Sequence, residues 1–269
     1  MASDKAFQDE IDAFNKVKNL LGKSATTFQA PAGADAGFPD FGFSVTLPSG
    51  KIDLHFEYKN SHTAQMGSMR DWIFDGSTYS SNDKANDQKK DLLYIMNNTP
   101  IAITNGKRLL KDLQQYCSGD IKTMYSGSLS IIKDQALRRA ATVQFAKNTR
   151  DYQIANITDS TLGNKIIDHY KTKFKKSMRP GQAKGHMILM MIKDELWYVD
   201  TAGTVDSASM KQIASLMGVD RINKLTGLVA NLEVRIQPRG LNSPGKPTSI
   251  DVMANFRLKG KPTGGTKVI

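Results

Sequence analysis

Residues 39 to 59, PDFGFSVTLPSGKIDLHFEYK, constrain the fold of this chain more than any other stretch. From Phe41 the odd positions Phe41, Phe43, Val45 and Leu47 are apolar while Asp40, Gly42, Ser44 and Thr46 are not, the period of a strand with one buried face. Pro48-Ser49-Gly50-Lys51 reads as a turn. Beyond it Ile52, Leu54, Phe56 and Tyr58 make a second apolar row, alternating with Asp53, His55, Glu57 and Lys59. The two runs specify a β-hairpin with every ionisable side chain on one face. Pairing Leu47 with Ile52 sets Thr46 against Asp53, Ser44 against His55, Gly42 against Glu57 and Asp40 against Lys59. Asp40 is then diagonal to Glu57, about 7 Å away between Cβ atoms.

Two carboxylates and an ammonium at one hairpin end are costly unless something gathers them. A hard divalent cation such as Mg²⁺ does so, because it takes carboxylate and water oxygens and bridges to a substrate phosphate. Lys59 beside it would steady the developing negative charge and hold the attacking water. The plainer reading is a solvent-facing row of mixed charges.

Pro39-Asp40, then sixteen residues, then Glu57-Tyr58-Lys59 resembles the signature of the PD-(D/E)XK nuclease superfamily, which includes many type II restriction endonucleases. The resemblance implies a Mg²⁺-dependent phosphodiesterase, with Mn²⁺ as a substitute ion. It also implies Asp40 and Glu57 as metal ligands and Lys59 beside the attacking water. The implied fold is a central mixed sheet flanked by helices, with the metal-binding hairpin at one edge of a cleft.

Charge agrees with a polyanionic partner. The formal net charge is +11 over 269 residues, yet residues 1 to 60 carry six Lys against eight Asp or Glu, so the excess lies downstream of the hairpin. The single Cys117 excludes an internal disulfide and a multi-cysteine zinc site. No apolar run is long enough to cross a bilayer, and the N-terminal MASDKAFQDE lacks the apolar core of a signal peptide, which reads as a cytoplasmic protein with no membrane partner.

In chain order, Asp4 to Leu21 has the spacing of an amphipathic helix, with Phe7, Ile11, Phe14, Val17 and Leu21 on one stripe and Gly22 as its stop. Glu10 falls on that stripe. The resemblance implies a metal-proximal role for it, since the superfamily often places a Glu on a helix before the Asp. Residues 23 to 38 read as a loop, and 60 to 88 as a long polar connection in which His62, Arg70 and Trp72 are candidates for phosphate contact or base stacking, with ordinary packing of Trp72 and Ile73 an equal reading. Ala85 to Asn97 predicts a helix, Pro100 to Thr104 a strand, and Gly106 to Tyr116 a second helix. Leu129 to Thr142 predicts another helix, with strands at Val143 to Phe145 and Tyr152 to Ile157.

Leu162 to Lys176 is a further helix, and the segment DHYKTKFKKSMRPGQAKGH around its end is the densest basic cluster. Lys171, Lys173, Lys175, Lys176, Arg179 and Lys184 are candidate phosphate contacts there. Met187 to Asp200 reads as a core hairpin, Ser207 to Met217 as a capped helix, and Leu228 to Gln237 and Ser249 to Leu258 as two strands, either a basic ribbon entering a groove or a closing pair of edge strands, whose connection carries the candidate nucleic-acid contacts Arg239 and Lys246.

Alternation of strands and helices after the hairpin predicts a mixed α/β core, in one domain over 1–269 with 128–269 supplying most of the basic surface. The expected function is a type II restriction endonuclease acting as a homodimer on double-stranded DNA. A structure-specific or phage-borne nuclease and a non-catalytic DNA-binding protein are the alternatives.

Overall fold

The computed structural model describes residues 4–31, 39–81, 87–118, 154–157, 160–175, 177–178, 181–220, 222–225, 232–240 and 249–262. The fold is mixed α/β, and its contacts divide into two compact units, each discontinuous in sequence. The first comprises Met1–Ala64, Ile167–Leu228 and Gly260–Ile269, the second Gln65–Ile166 and Val229–Lys259. No linker was legible because the chain leaves the first unit and returns to it twice.

The first unit opens with helix α1 (Asp4–Leu21) and a short 3-10 turn, Gly22–Ser24. Strands β1 (Ala25–Gln29), β2 (Phe41–Leu47) and β3 (Gly50–Lys59) follow as an antiparallel meander. Numbering through the second unit, its elements are β4 (Gln65–Phe74), β5 (Tyr79–Ser81), α2 (Asp87–Asn97), α3 (Pro100–Ser118) and β6 (Ile154–Ile157). Helix α4 (Ser160–Lys175) leads back, and β7 (Gly185–Ile192), β8 (Glu195–Gly203), α5 (Ser207–Leu216) and β9 (Asn223–Lys224) complete the first unit's six-stranded sheet. Its order is β1-β2-β3-β7-β8-β9, with β7 parallel to β3 and β9 parallel to β8.

Both faces of β3 are covered. Phe41, Phe43, Leu54 and Phe56 are buried, and Phe14 of α1 stacks on Phe43 with ring centroids 5.2 Å apart. Phe41 stacks on Phe56 at 5.0 Å. Such aromatic pairs add about 0.5–1.5 kcal/mol each beyond their area. On the opposite face Tyr170 and Phe174 of α4 are fully buried, and Phe174 faces His55. Asp53, His55 and Glu57 are therefore buried rather than solvated. The alternation marked two chemically distinct faces, and the helix laid over the polar one was not visible in it.

The hairpin register differs from the expected one by two residues. Val45 pairs with Ile52, Ser44 with Asp53, Gly42 with His55 and Phe41 with Phe56. Pro48 and Ser49 alone make the turn, and Gly50 closes it at φ +124°, a conformation open to glycine. An even shift keeps every side chain on its face. It brings Asp40 beside Glu57 instead of opposite Lys59, the Asp40 N–H donating to Phe56 O at 2.9 Å.

Other expectations are corrected. Part of the loop at 23 to 38 is β1, an edge strand that forms by pairing with β2. In the second unit the polar connection is two strands, β4 and β5, of an antiparallel sheet ordered β5-β4-β11-β10-β6, where β10 is Leu232–Gly240 and β11 is Ile250–Leu258. Trp72 is fully buried there, so it is packing and not a stacking platform. Pro100 to Thr104 is the first turn of α3. Thr99 O receives the N–H groups of Ala102 and Ile103, and proline suits the first helical position because its missing N–H has no partner to lose. Helix α5 is capped by Asp206, which accepts from Ser209 N–H, and not by Ser207. The helix and strand expected between 129 and 145 lie outside the described residues. Among the described residues no helix is long and apolar enough to cross a membrane.

Gly50→Ala is expected to lower stability by about 1–2 kcal/mol, from positive-φ strain together with a Cβ 3.2 Å from the Lys184 side chain. Urea unfolding measures it.

Candidate functional site

Asp40, Glu57, Lys59 and Glu10 converge in the first unit, and a fifth group joins them. Strand β3 lies between β2 and β7, which fixes its backbone on both sides. Asp40 precedes β2, and its Oδ2 accepts the Tyr58 N–H at 2.7 Å, hooking the carboxylate onto β3 one residue past Glu57. Glu57 is 3% exposed. Its Oε1 accepts from Lys59 Nζ at 2.6 Å and its Oε2 from Lys173 Nζ at 2.7 Å.

Burial alone would raise the Glu57 carboxyl, but the ammonium groups of Lys173 and Lys59 outweigh it and hold the group down at about 2. Burial opposes charge on the two lysines as well; Glu57 and Asp40 more than offset this and raise both. Lys59 and Lys173 are therefore ammonium ions at neutral pH. Asp40 is raised, first by burial and then by the Glu57 charge. Glu10 on α1 is pushed up to about 7 by burial and by the charges of Asp40 and Glu57, and its buried Oε1 has no hydrogen-bond partner.

The cluster thus holds three carboxyl groups, two of them with raised pKa, beside two ammonium groups. Among the described residues no three His, Cys, Asp or Glu converge closely enough to hold a metal ion by themselves. Mg²⁺ needs only one or two carboxylates from a protein, with water and phosphate completing its shell. The unpartnered buried oxygen of Glu10 and the raised carboxyls of Glu10 and Asp40 are electrostatic conditions that a cation held by Asp40 and Glu57 would relieve.

The basic residues divide. Lys173, expected on the exposed face, is buried against Glu57, and Tyr170 and Phe174 are buried with it. Lys171 lies 3.7 Å from Asp168 and 3.5 Å from Asp200. Lys175 and Lys184 are exposed, the latter donating to Ser49 O at 3.0 Å. Arg239 belongs to β10. Lys176, Arg179 and Lys246 lie outside the described residues. His62 faces Glu195 at 3.6 Å. Helical spacing carried a signal for Lys173: it stands seven residues after Ile166 and three after Tyr170, on the stripe that both define.

A second polar group runs along the same row of β3. Ser177 Oγ meets His55 Nδ1 at 3.0 Å, His55 Nε2 meets His186 Nδ1 at 3.1 Å, and Ser44 Oγ donates to Asp53 Oδ1 at 2.5 Å. Burial, with His186 adding to it, holds His55 neutral down to about 3. Its partners satisfy its ring nitrogens, and it is a structural element of the face.

No family model, curated protein or solved structure matches this chain. The site rests on its own geometry.

Because the folded-state value of Glu10 lies above the ordinary 4.5, its ionisation opposes folding, and stability is lost as pH rises from about 4.5 through 7. Glu10→Gln removes that loss. The variant should exceed wild type by about 1–2 kcal/mol above pH 7, after allowance for partial exposure, and match it below pH 4.5. Thermal unfolding across that range, without divalent ions, is the measurement.

Proposed function

We propose that this protein is a Mg²⁺-dependent endonuclease that hydrolyses phosphodiester bonds in DNA. The observation that carries the reading is the convergence of Asp40, Glu57 and Lys59 at one buried end of the β2–β3 hairpin. Asp40 and Glu57 would hold the ion, with Glu10 next to them. When bound, Mg²⁺ supplies Lewis-acid polarisation of a phosphoryl oxygen. Lys59, charged throughout the physiological range, acts by orienting the attacking water and by opposing the negative charge that develops on the phosphoryl group. Hydrogen bonds from Tyr58 N–H and from the two lysines fix the carboxylates before substrate arrives.

The exposed Lys175 and Lys184 and the charge of +11 support a nucleic-acid substrate. The finer version is a cytoplasmic type II restriction endonuclease acting as a homodimer on duplex DNA. It is favoured by chain size and by the basic segment downstream of the hairpin.

Supercoiled plasmid incubated with Mg²⁺ should be cut and with EDTA left intact. Asp40→Asn and Glu57→Gln should each slow cleavage by at least about 10²-fold, while duplex affinity in EDTA holds or rises because a negative charge near the phosphate has gone. Lys59→Ala should lose cleavage and retain divalent-ion binding. Wild-type cutting by both carboxylate variants would remove the site from the chemistry. A wild type that binds duplex DNA but cuts nothing under Mg²⁺ or Mn²⁺ would make the protein a binder.

A further inference from the structure

Glu57 is the only group of the cluster gripped at both of its oxygens, and the second grip comes from outside the hairpin. Lys59 lies two residues along the same strand, whereas Lys173 reaches across from α4, 116 residues away in sequence, to Oε2 at 2.7 Å. Lys173 is 8% exposed, held between the buried Tyr170 and Phe174 on the same helix, with its ammonium 5.7 Å from the Phe174 ring centroid. A lysine stem packed in this way has lost its rotamer freedom, and its ammonium is directed at one carboxylate oxygen rather than at solvent. Two donors on two oxygens define the plane of a carboxylate; one donor leaves it free to rotate about its terminal bond.

We propose that Lys173 is a positioning residue that, together with Lys59, fixes the plane of the Glu57 carboxylate in which that group would hold an ion with Asp40. The inference rests on the nuclease reading for what this positioning serves. It moves Lys173 from the phosphate-binding surface into the support of the site. The positive charge has a cost there. It repels a divalent ion, so Lys173 gives up ion affinity while holding the ligand in its working orientation.

That opposition gives the test a sign. Lys173→Met keeps the apolar stem and leaves Lys59 on Glu57; Lys173→Arg keeps a charge and a donor. Three quantities are measured on the full chain: Mn²⁺ affinity by calorimetry without DNA, duplex affinity in EDTA, and the single-turnover rate of plasmid cleavage with Mg²⁺. For Lys173→Met we expect Mn²⁺ to bind about tenfold more tightly, duplex affinity to stay within about twofold, and cleavage to slow by about 10²-fold. Lys173→Arg should recover cleavage to within about tenfold of wild type.

A residue that merely supports packing would weaken Mn²⁺ binding and cleavage together. That outcome overturns the proposal, as does wild-type cleavage by Lys173→Met. A loss of duplex affinity in EDTA as large as the loss of rate would make Lys173 a phosphate contact instead. If the wild type cuts nothing but Mn²⁺ binding tightens in Lys173→Met as stated, the nuclease reading falls and the hold of Lys173 on Glu57 stands. A wild type that binds no Mn²⁺ removes both.

Discussion

The first unit depends on one buried carboxylate held between two ammonium groups. A charge as deeply buried as Glu57 is tolerated only when its partners are in hydrogen-bond contact, and Lys59 and Lys173 supply contacts of 2.6 and 2.7 Å. Buried ion pairs of this kind add little net stability compared with apolar packing, because desolvation consumes most of the attraction. They do exclude alternatives. A strand shifted by one residue would turn Glu57 toward Phe14 and Phe43, and a helix α4 rotated out of place would leave a bare carboxylate in the interior. The ion pair and the aromatic face opposite it specify the same arrangement from two sides.

Much of this architecture was legible because its signals are local. The span of α1 follows from its apolar stripe and Gly22, the β2–β3 hairpin from alternation around a turn, and the β7–β8 hairpin from a continuous apolar run broken by a polar turn. What escaped was decided at a distance. Strand β1 has only five residues and a mostly exposed pattern, so its pairing with β2 defines it. In β4 the residues Gly67, Ser68, Arg70 and Asp71 conceal a strand whose Trp72 and Phe74 are buried. At Pro100 to Thr104 the β-branched residues suggested a strand, while Thr99 and the proline carried the stronger signal of a helix start.

The candidate site divides in the same way. Asp40, Glu57 and Lys59 belong to one hairpin, and even a register misplaced by two residues kept them together, because a sheet repeats every second residue. Glu10 announced itself as a charge on an apolar stripe, and the charges of Asp40 and Glu57 act on it. Lys173 was read as one lysine among many in a basic segment. Composition ranked it with its neighbours, whereas helical phase separates it from Lys175, which is exposed. In a dense basic run the informative cation is the one that shares a face with the buried aromatics.

The parallel pairing of β3 with β7 bears on how the chain reaches this state. Ile52 to Lys59 lie in register with Gly185 to Ile192, so the two central strands of the sheet meet only after a very long stretch of chain has been spanned. Hairpins such as β2–β3 close quickly, but a crossover of this length adds loop-closure entropy and slows folding. Until β7 and α4 arrive, the polar row of β3 is hydrated and Glu57 has only its near neighbour Lys59. Assembly of the cluster is consequently coupled to the formation of the sheet's centre, and during synthesis Glu57 is made 116 residues before the lysine that takes its second oxygen.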